Sequence, residues 1–179
     1  MNGTTQEARF APVSVVKFVV LSLCSFGIYQ VALVYRQFRH ERDQGGAQLS
    51  PFWRTFLAPI WLYDLLRRIA RTAEEAGVRP SWNAVAVTVV TVILWLTSLL
   101  RQPWGLISMF AFVPSIPVQL TVNAINARLS PDAPRNDRFT PANIVLVVVG
   151  GLLLALVIWS LFVMPLEIGQ GTLDAQEAF

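Results

Sequence analysis

The chain has 179 residues, of which 54% are hydrophobic and 14% charged, with a mean hydropathy of +0.52. That balance excludes an ordinary water-soluble domain and reads as an integral membrane protein. The net charge of +3 and pI near 9.6 do not point to nucleic acid as a partner, because the basic residues stand in short loops beside apolar runs, where the positive-inside bias explains them.

The N-terminal MNGTTQEARFAPVS lacks a basic n-region, and the apolar run after it is too long for a cleaved leader, so that run is expected to persist as a helix. Residues 13–35 are long enough, at ~1.5 Å per residue, to cross a hydrocarbon core of roughly 30 Å. They contain the only cysteine, Cys24, so an intramolecular disulfide is excluded. Cys24, Ser25 and Gly27 reduce the bulk of one helix region, which suits close packing against a neighbour; a hinge is the other use of such a glycine.

Residues 51–76 form an interfacial or re-entrant element. Ser50-Pro51 is a helix start signal, and Pro59 is a kink or the apex of a shallow hairpin. From Leu62 onward, Leu62, Leu65, Leu66, Ile69 and Ala73 alternate at helical spacing with Asp64, Arg67, Arg68, Arg71, Glu74 and Glu75, the pattern of an amphipathic helix that Gly77 would end. Arg54 and Asp64 lie five residues either side of Pro59 and form a candidate charged pair. Arg67, Arg68 and Arg71 suit anionic lipid headgroups, at about 1 kcal/mol each near such a surface.

Residues 82–100 and 104–122 read as two further spans joined by the tight turn Arg101-Gln102-Pro103, with Trp82 and Trp104 at their ends. In the second of these, Ser115, Gln119, Asn123 and Asn126 recur at spacings of four, four and three and share one face beside Pro114 and Pro117. A polar stripe in a proline-broken helix can expose amides to a substrate, as in transporters. It can equally bond neighbouring helices, and Thr88, Thr91 and Ser98 are available as partners.

After the polar loop RLSPDAPRNDR, Thr140-Pro141 starts the last run, residues 141–163. Its Gly151-x-x-x-Ala155 permits close helix pairing. Residues 166–179 read as a polar tail.

Basic residues fix the expected topology. Arg36, Arg39, Arg42, Arg54, Arg67, Arg68, Arg71, Arg79, Arg128, Arg135 and Arg138 make eleven of the fourteen bases, and placing them in the cytoplasm gives four spans with both termini outside. A spanning 51–66 would give five and lower the inside count. The expected fold is therefore all-α: a single membrane domain over 1–179, a bundle of four transmembrane helices plus one amphipathic or re-entrant cytoplasmic helix.

The runs LSLCSFGIYQVALVYRQFR (21–39) and SPFWRTFLAPIWLYDLLRRI (50–69) resemble a family of small bacterial multi-pass proteins labelled as a domain of unknown function, the 4234 type. The likeness lies in a small-x-Gly-Ile-Tyr signature, an aromatic and basic helix exit, and a Ser-Pro-Phe-x-Arg element. It implies the bacterial inner membrane and brings no established activity.

Chemistry is sparse. The single His40 sits in a charged helix exit, and the sequence has no metal-ligand cluster, phosphate loop or nucleophile motif. No enzyme activity and no cofactor are expected. The sequence favours an interaction or regulatory protein whose partners are anionic lipids, another membrane protein or a second copy of itself. The alternative is a small oligomeric transporter or channel using the third span's polar face.

Overall fold

The computed structural model describes residues 8–43, 58–101, 103–133 and 136–177, and all regular secondary structure among them is helical. Helix α1, Val15–Cys24, starts where the Ser14 hydroxyl accepts the Lys17 N–H at 3.3 Å. It ends after ten residues because the chain closes a Schellman motif: the Gly27 N–H donates to the Ser22 carbonyl at 2.9 Å and the Phe26 N–H to the Leu23 carbonyl at 3.2 Å. Phe26 and Gly27 both adopt the left-handed region, at φ 52° and 86°. Helix α2, Ile28–Asp43, then folds back on α1.

The apolar run 13–35 is therefore not one helix. It is a hairpin whose ends meet, since the Ala11 N–H, ahead of α1, donates to Gln37 Oε1 of α2 at 3.0 Å. Helix α1 is about 15 Å long and the part of α2 within the apolar run, residues 28–35, about 12 Å, each no more than half a hydrocarbon core.

Helix α3, Ala58–Glu75, keeps the predicted amphipathic pattern: Leu62, Leu65, Leu66, Ile69 and Ala73 are buried, while Arg67, Arg71, Glu74 and Glu75 are exposed. A second Schellman motif ends it at Gly77, φ 69°, and Arg128 donates to the Ala76 carbonyl at 2.9 Å. Ser50-Pro51 and Arg54 lie outside the described residues.

Helix α4, Ala84–Leu96, is capped by the Asn83 side chain and runs into a 3-10 turn, Thr97–Leu99. Past Pro103 the chain returns through two 3-10 segments, Trp104–Phe110 and Val113–Ser115, into α5, Ile116–Leu129, with Pro117 tolerated in the first turn where no amide partner is needed. Helix α6, Pro141–Glu177, starts at Thr140 as expected, but its backbone stays helical to Glu177 where the sequence suggests a polar tail from 166.

Two apolar clusters organise the interior. Helix α3 packs with Phe10, Phe38, Val87, Val118, Val122 and Ile125, and the α1–α2 hairpin packs with Val13 and Phe112, whose ring meets Phe18 edge-on at 6.0 Å. Helix α6 lies along α1 in parallel, with Gly150 so close to Cys24 that a Cβ there would overlap the Cys24 carbonyl oxygen. Two helical stretches, Trp104–Leu129 and Pro141–Leu161, are long and apolar enough to cross a membrane; Val15–Cys24 and Ala84–Leu99 are shorter.

Candidate functional site

The polar stripe of α5 faces the chain's own N-terminal segment, residues 8–13. The segment bends at Arg9 and Phe10, and proline at position 12 then restrains its own residue and Ala11 and removes one N–H that would otherwise need a partner. Asn126 takes both backbone groups of Phe10, accepting from its N–H at 3.1 Å and donating to its carbonyl at 2.9 Å. Gln37, across the groove on α2, treats Ala11 the same way, at 3.0 and 3.5 Å. The Val13 carbonyl accepts from both Gln119, at 3.2 Å, and Asn123, at 2.9 Å, and Gln119 also donates to Asn123 Oδ1.

Each of these amides replaces the water that a non-helical backbone would otherwise need, so the segment is buried without a sheet. Phe10 and Asn126 are 5% and 6% exposed, values that exclude solvent as their partner. Ser115, the fourth stripe residue, accepts from Gln30 of α2 at 3.4 Å, and Gln30 also donates to the Ala111 carbonyl.

The partners expected for the stripe on the adjacent span do not serve it. Thr88 and Ser98 donate back to their own helix, and Thr91 Oγ1 is buried with no partner among the described residues. Trp82, expected at the headgroup layer, donates through Nε1 to Thr121 of α5 at 2.9 Å. Sequence reasoning missed Gln30, which bonds Ala111 and Ser115, and Gln37, which holds the segment; their seven-residue spacing, two helical turns, was the available signal.

A cavity of about 290 Å³ runs beside the segment, lined by Ala8, Pro12, Ser14, Asn123, Asn126 and Asp137 among others. Lys17 closes the same end. It is 1% exposed, and its ammonium donates to Asn136 Oδ1 and the Arg138 carbonyl, both at 2.7 Å, beside the Phe139 ring. Oriented to suit its neighbours, the Asn143 amide presents its oxygen to the same ammonium at 3.1 Å.

Of the other predicted site residues, Asp64 pairs with Arg68 one turn along α3, at 2.9 and 3.0 Å. Both are about 40% exposed, which makes this a surface i,i+4 pair contributing about 0.3–0.5 kcal/mol. The proposed partner Arg54 lies outside the described residues. Arg67 and Arg71 point outward, clear of the core. Gly151 has nothing within 4 Å of a built Cβ, so the helix contact is made by its neighbour Gly150, and the Gly151-x-x-x-Ala155 face is open.

Comparison with known proteins gives no match to any family model, curated protein or solved structure.

Proposed function

We propose that this chain is a small multi-pass protein of the bacterial inner membrane that acts by organising lipids or a membrane partner, without chemistry of its own. The observation that carries this reading is the surface of α6. Only 6% of Pro141–Leu161 is buried within the chain, and Val145, Leu152, Leu156 and Trp159 are more than 60% exposed. Such a length of bare apolar helix is stable in lipid or against another apolar helix and unfavourable in water.

The family resemblance at 21–39 and 50–69 supports the bacterial membrane setting, and we include membership of that family in the proposal. The topology that fits has three crossings, by α4, by Trp104–Leu129 and by Pro141–Leu161, with α1–α2 as a re-entrant hairpin. The hydrogen bonds of Ala11 to Gln37, Phe10 to Asn126, Arg128 to Ala76 and Lys17 to Arg138 gather the N-terminal segment and the ends of α2, α3 and α5 at one end. Arg9, Arg36, Arg39, Arg79, Arg128 and Arg138 belong to that end and Arg101 to the opposite turn, which supports a cytoplasmic N-terminus. Four crossings with the N-terminus outside would require 13–35 to run straight.

The outward Arg67 and Arg71 offer charge to anionic headgroups. The transport alternative has less support, because the amides it would use, Gln119, Asn123 and Asn126, are engaged by the backbone of Phe10 and Val13.

Native mass spectrometry of the protein extracted with its own lipids tests the proposal. The wild type should retain anionic lipid, and the double substitution Arg67→Glu, Arg71→Glu should lose it. Equal retention by both would overturn the lipid-organising role.

A further inference from the structure

The groove between α2 and α5 is built to hold non-helical polypeptide. Gln37, Gln119, Asn123 and Asn126 bond main-chain atoms of Phe10, Ala11 and Val13, a mode of recognition that reads backbone, while the three side chains are themselves buried. Buried side chains supply selectivity, since Phe10 lies in the same cluster as Phe38 and Leu62, and Val13 in that of Phe18 and Leu21. The cavity of about 290 Å³ leaves one flank of the segment uncovered, beside Ala8 and Pro12.

From these features we propose that residues 8–13 are an exchangeable occupant of a peptide-binding groove, and that the same segment of a second copy of this chain takes its place. The fit of that occupant is given by the contacts in cis, and arm exchange of this kind is an inexpensive route to dimers. The inference is independent of the membrane topology.

The probe is the acetylated, fluorescent peptide ARFAPVS, offered in detergent to a chain that begins at Ser14. The peptide should bind the shortened chain saturably. It should bind the full chain at least tenfold more weakly, because the attached segment competes at an effective concentration of about millimolar. A peptide carrying Phe10→Ala should bind about tenfold more weakly or worse. No binding by a shortened chain that keeps the helical signal and melting of the full chain overturns the proposal.

Hydrogen exchange on the intact full chain keeps the test decisive if the shortened chain does not fold. The Phe10 and Ala11 amides should exchange at least tenfold faster than those of Val122 and Ile125, and equal rates overturn the proposal. Exchange between copies is read by mixing Ala8→Cys with Ser130→Cys, each in a Cys24→Ser background. Both positions flank the groove, so oxidation should yield a two-chain species; its absence overturns the second-copy assignment.

Discussion

Asn126 satisfies both main-chain groups of Phe10, 116 residues away in sequence, at 3.1 and 2.9 Å. Asn126→Asp keeps the size and the acceptor, removes the donor and sets a carboxylate against the Phe10 carbonyl. Loss of a buried bond of this kind costs about 1–3 kcal/mol. The thermal midpoint in detergent should fall accordingly; an unchanged midpoint would mean that the pairing contributes nothing.

Gly150 and Gly151 should respond oppositely to the same substitution. A Cβ at Gly150 overlaps the Cys24 carbonyl and must push α1 off α6, whereas one at Gly151 meets open space. Gly150→Ala is expected to cost about 1–3 kcal/mol by overpacking. Gly151→Ala should be neutral or raise stability by up to about 1 kcal/mol through helix propensity. Chemical denaturation of the two variants side by side reads the contrast.

Phe26 occupies a left-handed conformation that costs a residue with a Cβ about 1–2 kcal/mol. Its side chain is 38% exposed, so its removal sacrifices little packing. Phe26→Gly should therefore stabilise the hairpin, by about 0.5–1 kcal/mol after the added chain entropy of glycine. A lower melting point would argue that the aromatic ring, not the turn geometry, fixes the hairpin.

Lys17 ties α1 to residues 136–143 through an ammonium that donates to Asn136 and the Arg138 carbonyl and faces the Asn143 oxygen and the Phe139 ring. Lys17→Met keeps the stem and removes the charge, leaving Asn136 and the Arg138 carbonyl without their donor. The expected cost is about 1.5–3 kcal/mol, as for hydrogen bonds to a charged group. Hydrogen exchange across 136–140 should accelerate while α4 stays unchanged; no change in that loop would refute the tether.

Elements with one strong local signal were legible in the sequence. The apolar face of α3 follows from the spacing of Leu62, Leu65, Leu66, Ile69 and Ala73, its end from Gly77, and the start of α6 from Thr140-Pro141. The break in 13–35 was not, because a glycine inside an apolar run serves equally for packing or for a turn. Here the decision rests on a non-glycine residue, Phe26, adopting positive φ. The polar stripe was found on the correct face, but its partner is a segment more than 100 residues earlier, and no local pattern in MNGTTQEARFAPVS announces it. Pairings of that range depend on how the whole bundle closes.

The most direct test of the hairpin is the sidedness of the chain in intact cells. An N-terminal tag and Asp132→Cys, compared with Arg101→Cys, all in a Cys24→Ser background, would be probed with membrane-impermeant reagents before and after lysis. A re-entrant α1–α2 hairpin predicts that the tag and position 132 are both shielded until lysis, with position 101 labelled from outside. If the tag is reached from outside while position 132 stays shielded, residues 13–35 cross the membrane and the hairpin account is wrong.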